Sequence, residues 1–350
     1  MTGEPTDRRT AEREDRADDE PTSVAIACQG GGSHTAFTAG VLRRLFREWD
    51  RDRHRLVGLS GTSGGAFNAL AAWYGLVTGD EATAVDLLDD LWADLAADDP
   101  VDRVANGLAV WGQWAENTGL PLPSVTPYVL PGSYWGQSRV RRTLERHVDF
   151  DAVPELCAGD HPRLVVGTVD VEGGVFETFV DEAVTAEAVL ASAAVPTLFP
   201  GVRLHGHVHW DGLFSQNPPI TDLLGVDAAH KPDEIWVVQI NPQVRAETPR
   251  TLLEIADRRN ELSGNLSLNQ EIRFVERVND WIRDGSLDKE GFSVVDVRRI
   301  EIGRAYGHAT KLDRTPSFLD DLMDLGEERA AEFLAGLAAK RATADDAAGD

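Results

Sequence analysis

The sequence predicts a single α/β domain, with a mainly parallel β-sheet and helices on both of its faces. Two short apolar runs, 22–28 and 54–60, each end in small residues, and each precedes a stretch with helical spacing of apolar side chains. Strand, helix, strand and helix in this order form a βαβ unit, which requires parallel strands and a right-handed crossover. The same alternation continues along the chain, and no internal repeat or linker divides it.

The individual elements follow from the periods of helices and strands. In the first helix, Phe37, Val41, Leu45 and Trp49 recur every four residues, and the second helix covers GAFNALAAWYGL. Further helices are predicted over 81–97, 137–148, TLLEIADRRNEL, LNQEIRFVERVNDWIRD and the region near 316–339. Further strands are predicted over 163–171, its hairpin partner VFETFV, 233–241 and 292–302.

The two ends and one internal segment depart from this pattern. Residues 1–20 and 341–350 are polar and lack apolar periodicity, which predicts disordered tails around one domain at 21–340. Segment 100–136 combines prolines and glycines with five large aromatic residues, Trp111, Trp114, Tyr128, Tyr134 and Trp135. Packing of a long insertion is the simpler interpretation, and an apolar lid or acyl-binding wall is the functional one.

The charge of the chain restricts its partners and its setting. Asp and Glu number 59 against 34 Lys and Arg, the net charge is −25, and only four residues are lysines. Such a surface predicts adaptation to high salt, which screens the self-repulsion, and it argues against nucleic acid as a partner. Without an apolar leader or an 18-residue apolar run, the predicted location is a high-salt cytoplasm, with room for peripheral membrane contact.

A candidate nucleophile follows the second predicted strand. Ser60 fails the G-x-S-x-G pattern because Thr62 stands at its last position, whereas Ser63 fits it between Gly61 and Gly65. A nucleophile on a tight strand-to-helix turn has strained backbone and needs small neighbours. Small residues are also common in purely structural βα turns. The position at the carboxyl end of a parallel strand, where α/β folds bind ligands, favours a catalytic Ser63.

A glycine cluster, CQGGGSHTAFTAG, follows the first predicted strand. As a dinucleotide fingerprint it lacks the third glycine, and as a Walker loop it lacks Gly-Lys-Ser/Thr. Consecutive glycines let backbone N–H groups converge on one point. Because the neighbouring strand carries Ser63, the preferred interpretation is an oxyanion hole for an ester intermediate.

The sequence shows no evident base for this serine. In α/β-hydrolases the histidine comes late in the chain, and His308 is the candidate, although its place beside a helix start is more typical of an exposed or capping residue. His205, His207 and His209 alternate, but His205-Gly206 resembles a hairpin turn and no further ligand stands in register, so no metal site is predicted. Asp211-Gly212 after them would by itself indicate a turn.

Together these motifs resemble those of the patatin-like phospholipases over roughly residues 22–241. That family combines a glycine-rich loop after the first strand, G-x-S-x-G on the second, and D-G-G or D-G-A late in the core. The corresponding residues are Gly30-Gly31-Gly32, Gly61-x-Ser63-x-Gly65 and Asp211-Gly212. The run 191–212 and the hairpin 167–179 are also similar to the family.

The resemblance implies a three-layer α/β/α sandwich with a Ser–Asp dyad and no cofactor. Ser63 would be the nucleophile, Asp211 the general base, and the backbone of Gly30, Gly31, Gly32 and Ser33 the oxyanion hole. Two positions depart from the family. His34 and Thr35 replace the usual Arg/Lys-Gly, and Leu213 follows Asp211-Gly212. These departures leave open an altered substrate range or an inactive relative.

The predicted function is hydrolysis of carboxylic esters of lipids through an acyl-enzyme. Phospholipid or lysophospholipid is the expected substrate. A neutral lipid or a soluble acyl ester is the next candidate, because an acidic surface is repelled by anionic headgroups at low salt. Two alternatives remain, a Ser-His-Asp esterase that uses His308 on small soluble esters and a non-catalytic lipid-binding relative. The sequence does not predict an oligomeric state.

Overall fold

The computed structural model describes residues 20–117, 126–224, 229–246, 248–287 and 292–348. Within these residues one sheet contains eight strands, β1 Thr22–Cys28, β2 His54–Gly61, β3 Arg163–Asp170, β4 Val175–Val180, β5 Val202–Leu204, β6 His207–Asp211, β7 Glu234–Gln239 and β8 Asp296–Glu301. The helices in the same residues are α1 Ala36–Arg47, α2 Gly64–Thr78, α3 Glu81–Leu95, α4 Pro100–Asn117, α5 Pro131–His147, α6 Val153–Leu156, α7 Ala186–Ser192, α8 Leu252–Arg283 and α9 Pro316–Ala348.

The sheet is mainly parallel, as the sequence predicts. Its strand order is β5-β6-β3-β2-β1-β7-β8, and β4 pairs with β3. Strands β3, β2, β1, β7 and β8 run parallel, whereas β4, β5 and β6 pair antiparallel at one side. The carboxyl ends of β1 and β2 therefore lie side by side, with Cys28 opposite Gly61. This pairing brings the glycine loop and the serine turn to the same edge of the sheet.

Helices cover both faces of the sheet and confirm the predicted layers. Along β1, Val24 and Ile26 belong to a large apolar core, whereas Ala25 and Ala27 belong to a second, smaller one. This division follows from the alternation of side chains along a strand. Residues of α1, α2, α3, α7 and α9 fill the large core, and α8 supplies the small one. The architecture is an α/β/α sandwich.

One helix replaces two predicted ones. The segments TLLEIADRRNEL and LNQEIRFVERVNDWIRD belong to the single helix α8, which begins with a Thr251 capping box. Ser263-Gly264 stands between the two predicted segments, and glycine has a low helix propensity. Gly264 instead lies where α8 passes the loop after β6, and an added Cβ would be 3.2 Å from the Asn217 side chain and 3.3 Å from the Leu213 carbonyl. The glycine there permits close approach rather than ending the helix.

Other boundaries differ from the predicted ones at both ends of the chain and in segment 100–136. Part of that segment is helical, because α4 covers its start and α5 begins at Pro131, a residue suited to the first helical position. Residues 1–19, from the predicted amino-terminal tail, lie outside the described residues. Helix α9 extends to Ala348, into the predicted tail 341–350, where alanines favour helix.

Candidate active site

Ser63 occupies a sharp turn between β2 and α2. Its φ of 56° lies in the left-handed region, which is strained for a residue with a side chain. The glycines of the motif permit this turn. An added Cβ on Gly61 would lie 2.4 Å from the Gly65 backbone, and one on Gly65 would lie 2.2 Å from the Cys28 carbonyl oxygen. The predicted motif therefore forms a sharp strand-to-helix turn, here called the serine elbow.

A buried serine from α7 holds this turn in place. The Ser63 N–H donates to Ser192 Oγ at 2.9 Å, and Ser192 Oγ donates to the Gly167 carbonyl of β3 at 2.7 Å. Ser60, the other serine of the stretch, is fully buried and donates to the Pro219 carbonyl at 2.6 Å. Ser60 therefore supports the loop after β6, and Ser63 is the serine presented at the turn.

Replacing Ser192 by alanine is expected to destabilise the fold by about 2–4 kcal/mol and to lower hydrolysis of esters. The change leaves the buried Ser63 N–H and the Gly167 carbonyl without partners, and it releases the strained turn. Urea unfolding followed by ester kinetics measures both effects. Ser138→Ala, on an exposed part of α5, is the control, and equal stability of the two variants would contradict the prediction.

Asp211 lies at the end of β6, opposite Thr168 of β3, and its side chain is fully buried. Its Oδ1 accepts the Leu213 N–H at 2.9 Å, whereas Oδ2 makes no hydrogen bond of regular geometry to any described residue. Burial raises the pKa of this carboxyl to about 7, although interactions with the Ser63 side chain and the Leu213 N–H act to lower it. Ser63 and Asp211 line the same cavity, so residues 148 positions apart in the sequence come together.

The glycine loop reaches the same cavity, but its first member is already engaged. The Gly30 N–H donates to Asn217 Oδ1 at 2.6 Å, so it is not available to an oxyanion, in contrast to the predicted role. Gly31 and Gly32 line the cavity. Gly32 starts a short helical turn that includes Ser33. The first N–H groups of such a turn have no partner within it, which leaves Gly31, Gly32 and Ser33 as candidate donors.

A network of buried amides fixes the glycine loop, and the sequence analysis missed it. Asn217 and Asn241 donate from Nδ2 to the Gly30 carbonyl at 3.3 and 3.0 Å. Gln29 Nε2 donates to Asn265 Oδ1 at 2.9 Å, and Gln29 Oε1 accepts the Asn241 N–H at 2.8 Å. The four amides come from four segments, the loops after β1, β6 and β7 and helix α8. The available signal was weak, since Asn217 and Asn241 each precede a proline after a strand.

His34, which replaces the basic residue usual in the family loop, has a structural contact. It is 4% exposed, its Nε2 is 2.8 Å from Thr310 Oγ1, and its ring packs against Tyr306 and Phe318. Thr310 belongs to the short helical turn His308–Leu312. His34 therefore attaches this turn to the glycine loop, next to the cavity.

The other histidines singled out in the sequence have different surroundings. His205 and His209 pair with Glu177 at 2.8 and 2.6 Å, and His207 pairs with Asp170 at 2.6 Å. In the described part of the chain, no group of three or more His, Cys, Asp or Glu side chains is arranged to hold a metal ion. These imidazole–carboxylate pairs join β3 and β4 to β6 and to the turn between β5 and β6, at the antiparallel side of the sheet.

The cavity has an apolar side and a charged side. It measures about 120 Å³, and the apolar part is lined by Val195, Leu198, Leu213 and Leu312. The charged part contains Asp257 and Glu261 of α8, which are buried and form ion pairs with Lys311 and Arg245. A pocket enclosing a whole drug-sized ligand typically measures about 300–1,000 Å³. The cavity is thus large enough for the reacting end of a substrate only.

Comparison with known structures gives distant matches to this architecture. VipD from Legionella pneumophila is 16% identical with a TM-score of 0.45, and the match covers 91% of this chain and 67% of VipD. A chain of the ExoU–SpcU complex of the Pseudomonas aeruginosa type III secretion system is 13% identical with a TM-score of 0.36. That match covers 91% of this chain and 52% of the other, so this chain spans about half of its length. A search of curated proteins gave no match.

Comparison with models of protein families gives a match over most of the domain. The model for patatin-like phospholipases matches residues 26–224. This range contains the glycine loop, the serine elbow and Asp211, the three features that meet at the cavity. The chain belongs to the patatin-like phospholipase family of lipid acyl hydrolases.

Proposed function

We propose that the protein hydrolyses carboxylic esters of lipids with Ser63 as nucleophile and Asp211 as general base. One observation carries this proposal. A serine on a strained turn and a fully buried carboxyl with a pKa of about 7 line one cavity. A carboxylate of ordinary pKa is a weak base for a hydroxyl, and a pKa near the operating pH suits proton transfer.

In the proposed reaction, Asp211 takes the proton of Ser63 Oγ while Oγ attacks the ester carbonyl carbon. The negative charge that develops on the carbonyl oxygen accepts hydrogen bonds from the backbone of Gly31, Gly32 and Ser33. The intermediate collapses, the C–O bond to the alcohol breaks, and the alcohol leaves with the proton held by Asp211. Asp211 then deprotonates a water that attacks the acyl-enzyme, which releases the acid and free Ser63.

The two sides of the cavity support an amphipathic ester as substrate. Leu198 and Leu213 on the apolar side suit the first carbons of an acyl chain. Lys311 and Glu261 on the other side suit a polar alcohol. Phospholipid, lysophospholipid and neutral glycerolipid are all amphipathic esters, and the proposal does not choose among them.

Hydrolysis of p-nitrophenyl esters of varied chain length, in high salt, tests the assignment. Ser63→Ala is expected to abolish turnover because the other hydroxyl of the turn, that of Thr62, is fully buried and donates to the Gln216 carbonyl at 2.8 Å. Ser60→Ala, three residues away and buried, is the matched control and is expected to retain turnover. His308→Ala is expected to retain it as well, because the dyad needs no histidine.

Three results would overturn the proposal in different ways. Turnover that persists in Ser63→Ala would exclude Ser63 as nucleophile. Turnover lost in His308→Ala and kept in Asp211→Asn would indicate a histidine-dependent esterase. Lipid binding without turnover in the wild-type protein would indicate a non-catalytic relative.

A further inference from the structure

Helix α4 places two polar side chains inside and three large apolar side chains outside, the reverse of the pattern in an ordinary surface helix. Asp102 and Asn106, one turn apart, are 1% and 6% exposed. On the opposite side Val104 and Leu108 are each 64% exposed, and Trp111 is 53% exposed. A face with this composition loses free energy in contact with water and gains it in contact with an apolar partner.

The beginning of α5 and the turn before it present large aromatic side chains as well. Tyr128, Tyr134 and Trp135 are each about half exposed. An ion pair between Arg139 of α5 and Asp102 of α4, at 2.7 Å, joins these residues to α4. We call Val104, Leu108, Trp111, Tyr128, Tyr134 and Trp135 together the aromatic face.

The aromatic face adjoins the cavity on two sides. Tyr128 Oη accepts the Gly201 N–H at 3.1 Å, and residues 195–198 of the same loop include Val195 and Leu198 of the cavity wall. On the other side, Asn106 Oδ1 of α4 accepts the Arg314 N–H at 2.9 Å, two residues after Leu312 of the cavity wall. Whatever covers the aromatic face therefore lies close to the cavity.

The chemistry of the face suits a boundary between lipid and water. Trp and Tyr place an apolar ring in the acyl region and a polar group at the headgroups. Helix α5 contains four arginines in a chain of net charge −25, and three of them, Arg139, Arg141 and Arg146, pair with carboxylates. Arg142, two turns after Trp135, is exposed and donates to the Ser138 carbonyl at 3.3 Å. A guanidinium there can bind a lipid phosphate.

We propose that the aromatic face docks the protein onto the surface of a zwitterionic phospholipid bilayer, with the cavity held next to the lipid. This inference rests on the proposed lipid substrate, because the small cavity then receives an ester directly from the bilayer. A second copy or a globular partner on this face would place protein, rather than lipid, beside the cavity. Among the described residues, no helix is both long and apolar enough to cross a membrane, and docking places the protein on the surface.

Co-sedimentation with phosphatidylcholine vesicles tests the inference. The measurements use the Ser63→Ala protein, so that the lipid stays intact. The double change Trp111→Gln and Trp135→Gln is expected to lower the vesicle partition coefficient about tenfold or more. The matched control changes Phe274 and Trp281 of α8 to Gln. Both are exposed aromatics, and Trp281 lies about 30 Å along the helix from the cavity residue Glu261. The control is expected to bind as the parent does.

Kinetics separate this inference from the proposed chemistry. With Ser63 present, the aromatic-face variant is expected to hydrolyse a short soluble p-nitrophenyl ester at the wild-type rate and to lose hydrolysis of vesicle lipid. Equal vesicle binding of this variant and its parent would overturn the docking surface, whatever the dyad does. Loss of a dimer, rather than of vesicle binding, would assign the face to self-association and overturn the inference. Vesicle binding that depends on the face, without any ester turnover, would support docking and contradict the proposed function.

Discussion

Replacing Asp211 by asparagine is expected to reduce kcat for ester hydrolysis by about a thousandfold or more, and to stabilise the folded protein by up to about 4 kcal/mol above about pH 8. The two effects have one cause. Burial raises the pKa of this carboxyl from 3.8 to about 7, so the ionised base that the reaction needs is costly inside the fold. Asparagine keeps the acceptor for the Leu213 N–H and removes the charge, but it cannot accept the Ser63 proton.

The stability gain has a defined dependence on pH. Folding favours the neutral carboxyl, so between the unfolded pKa of 3.8 and the folded pKa of about 7 the folded state binds more protons than the unfolded state. The contribution of Asp211 to the free energy of unfolding therefore falls with rising pH through this window, and this deficit in stability is complete above about pH 8. Asp211→Asn removes the deficit, so its advantage over the wild type is largest there and falls below about 1 kcal/mol near pH 4.

Chemical unfolding at several pH values and ester kinetics measure these effects. Asp320→Asn, an exposed change in α9, is the control and is expected to alter neither quantity. In the wild type, kcat/KM is expected to fall below about pH 7, roughly tenfold per pH unit, as Asp211 becomes protonated. An Asp211→Asn protein that is no more stable than the wild type at high pH would show that the carboxyl is not buried as described.

Much of the fold follows from local sequence patterns. The βαβ unit over β1, α1 and β2 can be predicted because the spacing of apolar residues changes from that of a strand to that of a helix at glycines. That α8 is one continuous helix cannot be predicted in this way, because Gly264 looks like a helix break until the loop that it passes is known. From the sequence alone, a glycine that permits a tertiary contact cannot be distinguished from one that ends a helix.

The proposed reacting residues are easier to predict than the residues that support them. Ser63 and Asp211 stand in motifs with small neighbours, because a tight turn requires them. Ser192 and Asn217 stand in no such pattern, since their partners are backbone groups of distant elements. The same reason explains why Gly30 was included among the oxyanion donors. That its N–H is engaged depends on an asparagine 187 residues away.

Gly30→Ala is expected to lower kcat about a hundredfold, through displacement of the nucleophile. An added Cβ would lie 2.4 Å from the Thr62 carbonyl oxygen and 2.8 Å from Ser63 Cβ. Backbone cannot rotate away as a side chain can, so either the elbow or the glycine loop must shift. Because an amide network holds Gly30 on its other side, we expect the elbow to move, with a loss of about 1–3 kcal/mol in stability.

The measurements are kcat, the rate of covalent labelling of Ser63 by a fluorophosphonate, and unfolding by urea. Gly336→Ala is the matched control, because outside its own stretch of α9 no atom of the described residues lies within 4 Å of the added Cβ. This control is expected to keep full activity and to gain about 0.5–1 kcal/mol from the higher helix propensity of alanine. If Gly30→Ala labels and turns over at the wild-type rate, the elbow and the loop have more freedom than their contact distances allow. The strained turn at Ser63 would then not depend on the glycine beside it.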